Sequence, residues 1–258
     1  MALDRAEILR CSCLSYWFPR VQEFLDARGQ GLVLVPPTRI IRLPEGMSLG
    51  LPDSSDSKQS EQALDWLLAQ LDDAAQQLGG YPCFLRTGLL SGKHRWHKTC
   101  HVECKEDLPS HVYALVEESA CADILGLPYD VWVVRGLLHP TVEFHSHGGM
   151  PVCREFRAFG RDGRFECMHP YWPADAIRDP DVPDWQKKLA RISRTPDQFE
   201  RKQLIKTTEK VTEVLGGYWS VDFLRLSGWR WMLIDMAVGE QSWHWPSCPH
   251  AKKQENKT

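Results

Sequence analysis

The sequence predicts an α+β fold in which antiparallel hairpins are covered by amphipathic helices, and three observations carry that expectation. Two pairs of apolar, strand-like runs are each joined by a short glycine turn, Arg161-Asp162-Gly163 and Ser227-Gly228, as tight hairpins require. Leu64, Leu67, Leu68, Leu71, Ala75 and Leu78 recur at spacings of three and four, which puts them on one helix stripe. Two helical segments run into paired glycines, Gly79-Gly80 and Gly216-Gly217, residues that tolerate the left-handed conformation at a helix end.

Taken in order, residues 1–43 mix short apolar runs with turns, and 31–37 reads as a strand stopped by Pro36-Pro37. Residues 44–60 are rich in Pro, Gly, Ser and Asp and predict an exposed loop. A helix follows from Glu61 to Leu78, then a strand over Cys83–Thr87, a glycine-containing loop over Gly88–Lys93, a helix from Pro109 to Leu125 and a strand over Tyr129–Leu138. The first hairpin spans 152–160 and 164–169, and the proline-rich stretch 170–184 predicts an irregular excursion. Thr195, Pro196 and Gln198 form a helix-start signal, with threonine as the cap and proline at the first helical position. That helix runs to Leu215 and leads into the last hairpin, Tyr218–Leu226 and Trp229–Ala237. The polar residues after 245 predict a disordered tail.

Composition narrows the function classes. A net charge of −3 supplies no general attraction to nucleic acid or an anionic membrane. No apolar run approaches the ~20 residues that span a bilayer, and the opening MALDRAEILRCSC lacks a signal peptide's apolar core, so a cytoplasmic location is expected. Nine cysteines without a CxxC pair predict free thiols and no disulfide-linked partner. Eleven tryptophans, among them Trp132, Trp219, Trp229 and Trp231 in strand-like stretches, supply large rings for a core.

The most informative chemistry lies in the last hairpin. Asp222 and Asp235 are acids inside apolar strands, where an unpartnered carboxylate costs several kcal/mol or is forced to protonate. Two such acids on adjacent strands suit Mg²⁺, which takes one or two carboxylates and completes its shell with water and phosphate oxygens. The same pattern also suits two structural carboxylates paired with arginine. In Arg154-Glu155-Phe156-Arg157-Ala158-Phe159, strand alternation puts Glu155, Arg157 and Phe159 on one face. Arg157 there is either a fixed cation for a phosphate or half of a surface ion pair. Arg86 on its strand and Lys93 in its glycine loop offer cations to phosphates, although GxxxxGK[ST] is absent. The repeated His94, His97, Cys100, His101 and Cys104 could gather zinc ligands if helical, although their spacing is looser than paired zinc ligands show; His244, Cys248 and His250 read instead as an aromatic-rich closing loop. His145 and His147 read as exposed loop histidines.

The blocks FLRTGLLSGKHRW, VWVVRGLL, REFRAFGRDG and WSVDFLRLSGWRWMLID, in that order, resemble the eukaryotic cell division cycle protein 123 family, and Ser15-Tyr-Trp-Phe-Pro19 resembles its opening element. That family comprises ATP-grasp relatives that help assemble a translation initiation factor, and related bacterial and phage members are proposed as RNA or peptide ligases. The resemblance implies an ATP-grasp fold, with two β-rich lobes, covering helices and a nucleotide cleft between a lobe including 81–133 and one including 134–245. Residues 1–80 would pack on that core and 246–258 would be the tail. It implies ATP and Mg²⁺ as cofactors. Arg86 and Lys93 would be phosphate ligands, the backbone of Val133, Val134 and Arg135 would contact adenine as a hinge strand, and Arg157 would face phosphate. Asp222 and Asp235 would be the metal acids. The family asparagine two positions after the second acid is here Ala237, and Glu240 matches a later acidic position.

Three functions follow: a nucleotide-dependent, chaperone-like factor that binds a protein client, an ATP-dependent ligase acting on a small molecule, peptide or RNA, or a fold that has lost its nucleotide. Ala237 favours the first and third; Asp222, Asp235, Arg157 and Lys93 argue against the third.

Overall fold

A computed structural model describes residues 4–26, 33–49, 57–122, 124–228 and 230–251. In chain order its elements are α1 (Arg5–Ser12), α2 (Leu14–Asp26), β1 (Val33–Leu34), β2 (Thr38–Arg42), α3 (Ser57–Gln77), β3 (Cys83–Thr87) and β4 (His101–Val102). There follow α4 (Leu108–Cys121), β5 (Val131–Gly136), β6 (Val142–Ser146), β7 (Met150–Cys153), β8 (Glu155–Arg161), β9 (Arg164–Pro170), α5 (Trp185–Ile192), α6 (Gln198–Leu215), β10 (Tyr218–Arg225) and β11 (Trp231–Val238). The α+β class is as the hairpins and stripes predict. Trp229, residues 50–56 of the expected loop and residues 252–258 of the expected tail lie outside the described residues.

The chain divides into two compact units. The first comprises Met1–Val35, His139–Ser146 and Pro151–Thr258, and the second Pro36–Leu138 with His147–Met150. These units are divided differently from the expected lobes. Residues 1–80 are not one segment, because 36–80 belong with the second unit, and the break after 133 would cut β5 in two.

The first unit is a five-stranded sheet ordered β1-β11-β10-β8-β9. The α6 helix lies on one of its faces: a Cβ built on Gly160 would come within 2.9 Å of Thr208 and 3.2 Å of Thr212, so only glycine lets helix and strand approach this closely. Phe156, Ala158, Val221, Phe223, Trp231 and Leu233 are buried. Burial of Phe156, Val221, Phe223 or Leu233 contributes about 1.5–3 kcal/mol each. Trp231 donates its indole N–H to Glu200 of α6 at 3.3 Å and meets Phe156 edge-on. The α1 and α2 helices were not foreseen in the stretch 1–43. Leu14, Trp17, Phe18 and Val21 are all buried and repeat at i, i+3, i+4 and i+7, a legible stripe. Pro19, inside α2, masks it by withholding one backbone donor.

The start of α6 also differs from expectation. Its cap is Asp197, whose carboxylate accepts the Glu200 amide at 2.8 Å, in place of Thr195. Directly after the expected excursion, α5 forms on an amphipathic run with Leu189 and Ile192 buried. Past β11 the chain makes successive turns, with the Cys248 amide bonded to the Trp245 carbonyl and the Ala251 amide to that of Cys248, at the start of the expected tail.

The second unit is a four-stranded sheet ordered β2-β5-β3-β4. Leu67, Leu71 and Ala75 of α3 and Val112 and Leu115 of α4 share a core with Cys83, Leu85, Trp132 and Val134. By alternation the other face of this sheet carries Arg86, Val133 and Arg135. No helix among the described residues is long and apolar enough to cross a membrane.

Candidate functional site

The polar face of the first unit's sheet is set by register. Asp222 of β10 stands opposite Arg157 of β8 on one side and opposite Asp235 of β11 on the other. Residues opposite each other in an antiparallel pair have side chains on one face, so the three form a row across adjacent strands. A β-bulge makes this possible. Phe223 pairs with Leu233 and Asp222 with Asp235, which leaves Ile234 as an extra residue in β11. With unbroken pairing Asp222 would face Ile234, and Asp235 would point toward the opposite face.

Within the row the interaction is directional. Arg157 Nε and Nη2 donate to Asp222 Oδ1 and Oδ2, both at 2.7 Å, a bidentate fork. The side chains are 19% and 8% exposed, so the pair is largely withdrawn from water. Burial works against the Arg157 charge. Asp222, by charge and hydrogen bonding, then Tyr171 and Asp235, more than offset it and hold the guanidinium above its ordinary pKa. The Arg157 guanidinium lies 4.7 Å over the Tyr171 ring. Asp235 Oδ1 accepts the Met236 amide at 3.1 Å. Glu155, Arg157 and Phe159 do share this face, as alternation predicts.

Mg²⁺ can be tested against this donor set. Two carboxylates and one guanidinium leave the row, taken by itself, with an excess negative charge. Each Asp222 oxygen that accepts from Arg157 keeps a further lone-pair direction. The donors are hard oxygens on adjacent strands, which suits Mg²⁺ completed by phosphate oxygens and water. Ala237 contributes no side-chain ligand, and its carbonyl accepts from Ser220 Oγ at 3.3 Å. Glu240, the later acid, is ion-paired with Arg161 Nη1 at 3.5 Å.

The other expected residues lie in the second unit. Arg86 is 4% exposed on the central strand β3, and its Nε donates to the Thr87 carbonyl at 3.0 Å. Lys93 opens a single 3₁₀ turn after Gly92, which is left-handed at φ 59. Arg135 is 5% exposed. Val133, Val134 and Arg135, the expected adenine contact, lie on β5 between two neighbouring strands. These residues pair with Ile40, Arg39 and Thr38 of β2 and with Arg86, Leu85 and Phe84 of β3. A strand flanked on both sides has its amides committed to the two ladders, while each carbonyl keeps one lone pair outside them.

Of the histidines, His145 pairs with Asp181 at 2.9 Å and His147 stacks on His94 at 4.3 Å. His97, His101 and Glu103 bring potential ligand atoms together, and so do Cys167, His244 and Cys248. The sequence alone does not single out Cys167 or Tyr171. Nothing in the sequence links Cys167 to His244, 77 residues later, or Tyr171 to Arg157 on the neighbouring strand.

No family model matches the sequence, and neither does any curated protein. Solved structures do match. C-terminally truncated Cdc123 from Schizosaccharomyces pombe superposes with a TM-score of 0.52 at 14% identity, covering 92% of this chain and 87% of that one. Carboxyaminoimidazole ribonucleotide synthase from Aspergillus clavatus, solved as a complex with ATP, superposes at 0.50 with 12% identity, over 88% of this chain. This chain spans 44% of the synthase, under half of its length. At such identities the likeness is one of fold, and the fold of this chain is that of the ATP-grasp proteins.

Proposed function

We propose that the protein binds ATP with Mg²⁺ and acts as a nucleotide-dependent factor that clasps a protein client, as the resemblance to the cell division cycle protein 123 family implies. The observation that carries this reading is the row of Arg157, Asp222 and Asp235, three charged side chains aligned across adjacent strands. Magnesium there would bridge carboxylate and phosphate oxygens and neutralise phosphate charge. In this reading Asp222 and Asp235 hold the ion, while Arg157, anchored by Asp222, holds a phosphate oxygen by charge. Arg86 and Lys93 remain proposed phosphate ligands on the strength of the resemblance. The β5 stretch Val133, Val134 and Arg135 likewise remains the proposed adenine contact on the strength of the resemblance.

The absence of a side-chain ligand at Ala237 favours binding over catalysis, since one metal donor that the resemblance leads one to expect is missing. The alternative is an ATP-dependent ligase. Titration calorimetry with ATP, with and without Mg²⁺, tests the binding: no heat at millimolar nucleotide would end both readings. Release of ADP or AMP on prolonged incubation with candidate carboxylate, peptide or RNA substrates would select the ligase.

A further inference from the structure

We propose that Cys167, His244 and Cys248 are the protein ligands of a zinc ion that ties the segment following β11 to strand β9. The potential ligand atoms of the three residues all lie within 4.8 Å of one another. Cys167 Sγ is 3.6 Å from His244 Nδ1. Ligands held about 2.3 Å (sulfur) and 2.1 Å (nitrogen) from a tetrahedral zinc stand about 3.6 Å apart, so this edge already has the spacing zinc requires. Two thiolates and an imidazole are soft and borderline donors, which favour Zn²⁺ over Mg²⁺ or Ca²⁺.

The surroundings also suit a metal. A ligating histidine usually gives its other ring N–H to an oxygen, which fixes the tautomer. Here His244 Nε2 lies 3.0 Å from Tyr218 Oη, and with Nε2–H donating to that oxygen the Nδ1 lone pair is directed toward Cys167. Phe159 stacks on the imidazole at 3.6 Å between centroids, holding its plane. All three ligands are half-buried, so water can fill the fourth position. Cys167 reaches this face because β9 has its own bulge. Phe159 pairs with Cys167 and Gly160 with Phe165, which leaves Glu166 extra. The rival cluster of His97, His101 and Glu103 has contacts of 3.7 and 3.9 Å to a largely exposed carboxylate, and offers no thiolate. The zinc site is independent of the nucleotide reading.

The test uses the full chain, purified without chelator from zinc-supplemented culture. Metal analysis should find about one zinc per chain, as a single site requires. Cobalt substitution should give a near-ultraviolet thiolate-to-cobalt charge-transfer band with tetrahedral visible bands. Cys167→Ser and Cys248→Ser should each abolish that band, while Cys121→Ser and His97→Ala should keep it. Should the cysteine variants fail to fold, Tyr218→Phe decides: it leaves all three ligands in place and should weaken zinc about 10–100-fold by removing the oxygen that orients His244. The proposal is overturned by protein that retains no zinc and shows no charge-transfer band. It is equally overturned if the band survives both cysteine substitutions, if His97→Ala removes it, if Tyr218→Phe leaves zinc affinity unchanged, or if intact mass reveals a Cys167–Cys248 disulfide in fresh protein.

Discussion

The β8–β9 and β10–β11 hairpins share one sheet, and each contains a single extra residue, but the two bulges serve different chemistry. In β11 the extra Ile234 brings Asp235 opposite Asp222. In β9 the extra Glu166 brings Cys167 opposite Phe159. Each bulge therefore turns one reactive side chain, Asp235 or Cys167, onto the face that carries Arg157. The first arrangement collects hard oxygen donors beside a guanidinium, and the second collects sulfur and imidazole beside aromatic rings. The face of a side chain is thus set by pairing register, which a one-residue offset reverses.

The largest expected effect separates the two acids of the first bulge. Asp222→Ala should lower stability by about 3–5 kcal/mol in urea titration, because it strands the buried Arg157 fork. Asp235→Asn should leave the nucleotide-free protein as stable as wild type or slightly more so, by removing a like charge opposite Asp222. It should also abolish the Mg·ATP-induced rise in melting temperature. A destabilised Asp235→Asn that keeps its Mg·ATP shift would make Asp235 a structural acid and sever the link between this bulge and the nucleotide.

Next in size is Lys93→Ala, which should weaken ATP by about 1.5–3 kcal/mol while barely changing AMP, as loss of a charge-assisted contact to distal phosphates predicts. Equal weakening of both nucleotides, read by calorimetry, would take Lys93 away from the phosphates.

The second bulge is probed by Gly160→Ala. The added methyl would meet Thr208 Cγ2 at 2.9 Å and the Arg164 carbonyl at 3.2 Å, contacts that force strand and helix apart. A loss of about 1–3 kcal/mol is expected, as for other overpacked cores. A neutral result in thermal melting would mean that α6 is free to shift against β8. The smallest effect belongs to the helix cap: Asp197→Ala should cost about 1 kcal/mol, and Thr195→Ala close to nothing.

Much of this molecule was legible in its residues because local rules act on neighbours in sequence. The Asp162-Gly163 turn takes the two positive φ values such a hairpin needs, 47° and 79°, and the strand Cys83–Thr87 lies where its apolar run predicts. The α3 stripe and the glycine stop of α6 likewise follow from periodicity and backbone freedom. The two acids and Arg157 were recognisable as charges inside apolar strands. Which of them would pair was not, since Arg157 and Asp222 lie 65 residues apart.

The sequence by itself determined the α+β class, the hairpins, the long helices and the identity of the charged residues, because each depends on side chains a few positions apart. Tertiary structure alone decided that Arg157 grips Asp222, that Asp235 joins them through the extra Ile234, and that β5 is paired on both sides, which commits the backbone amides of Val133 and Val134. It alone brought Cys167 to His244. These outcomes turn on register between strands distant in sequence, and register is fixed by the packing of whole sheet faces, which no local pattern encodes.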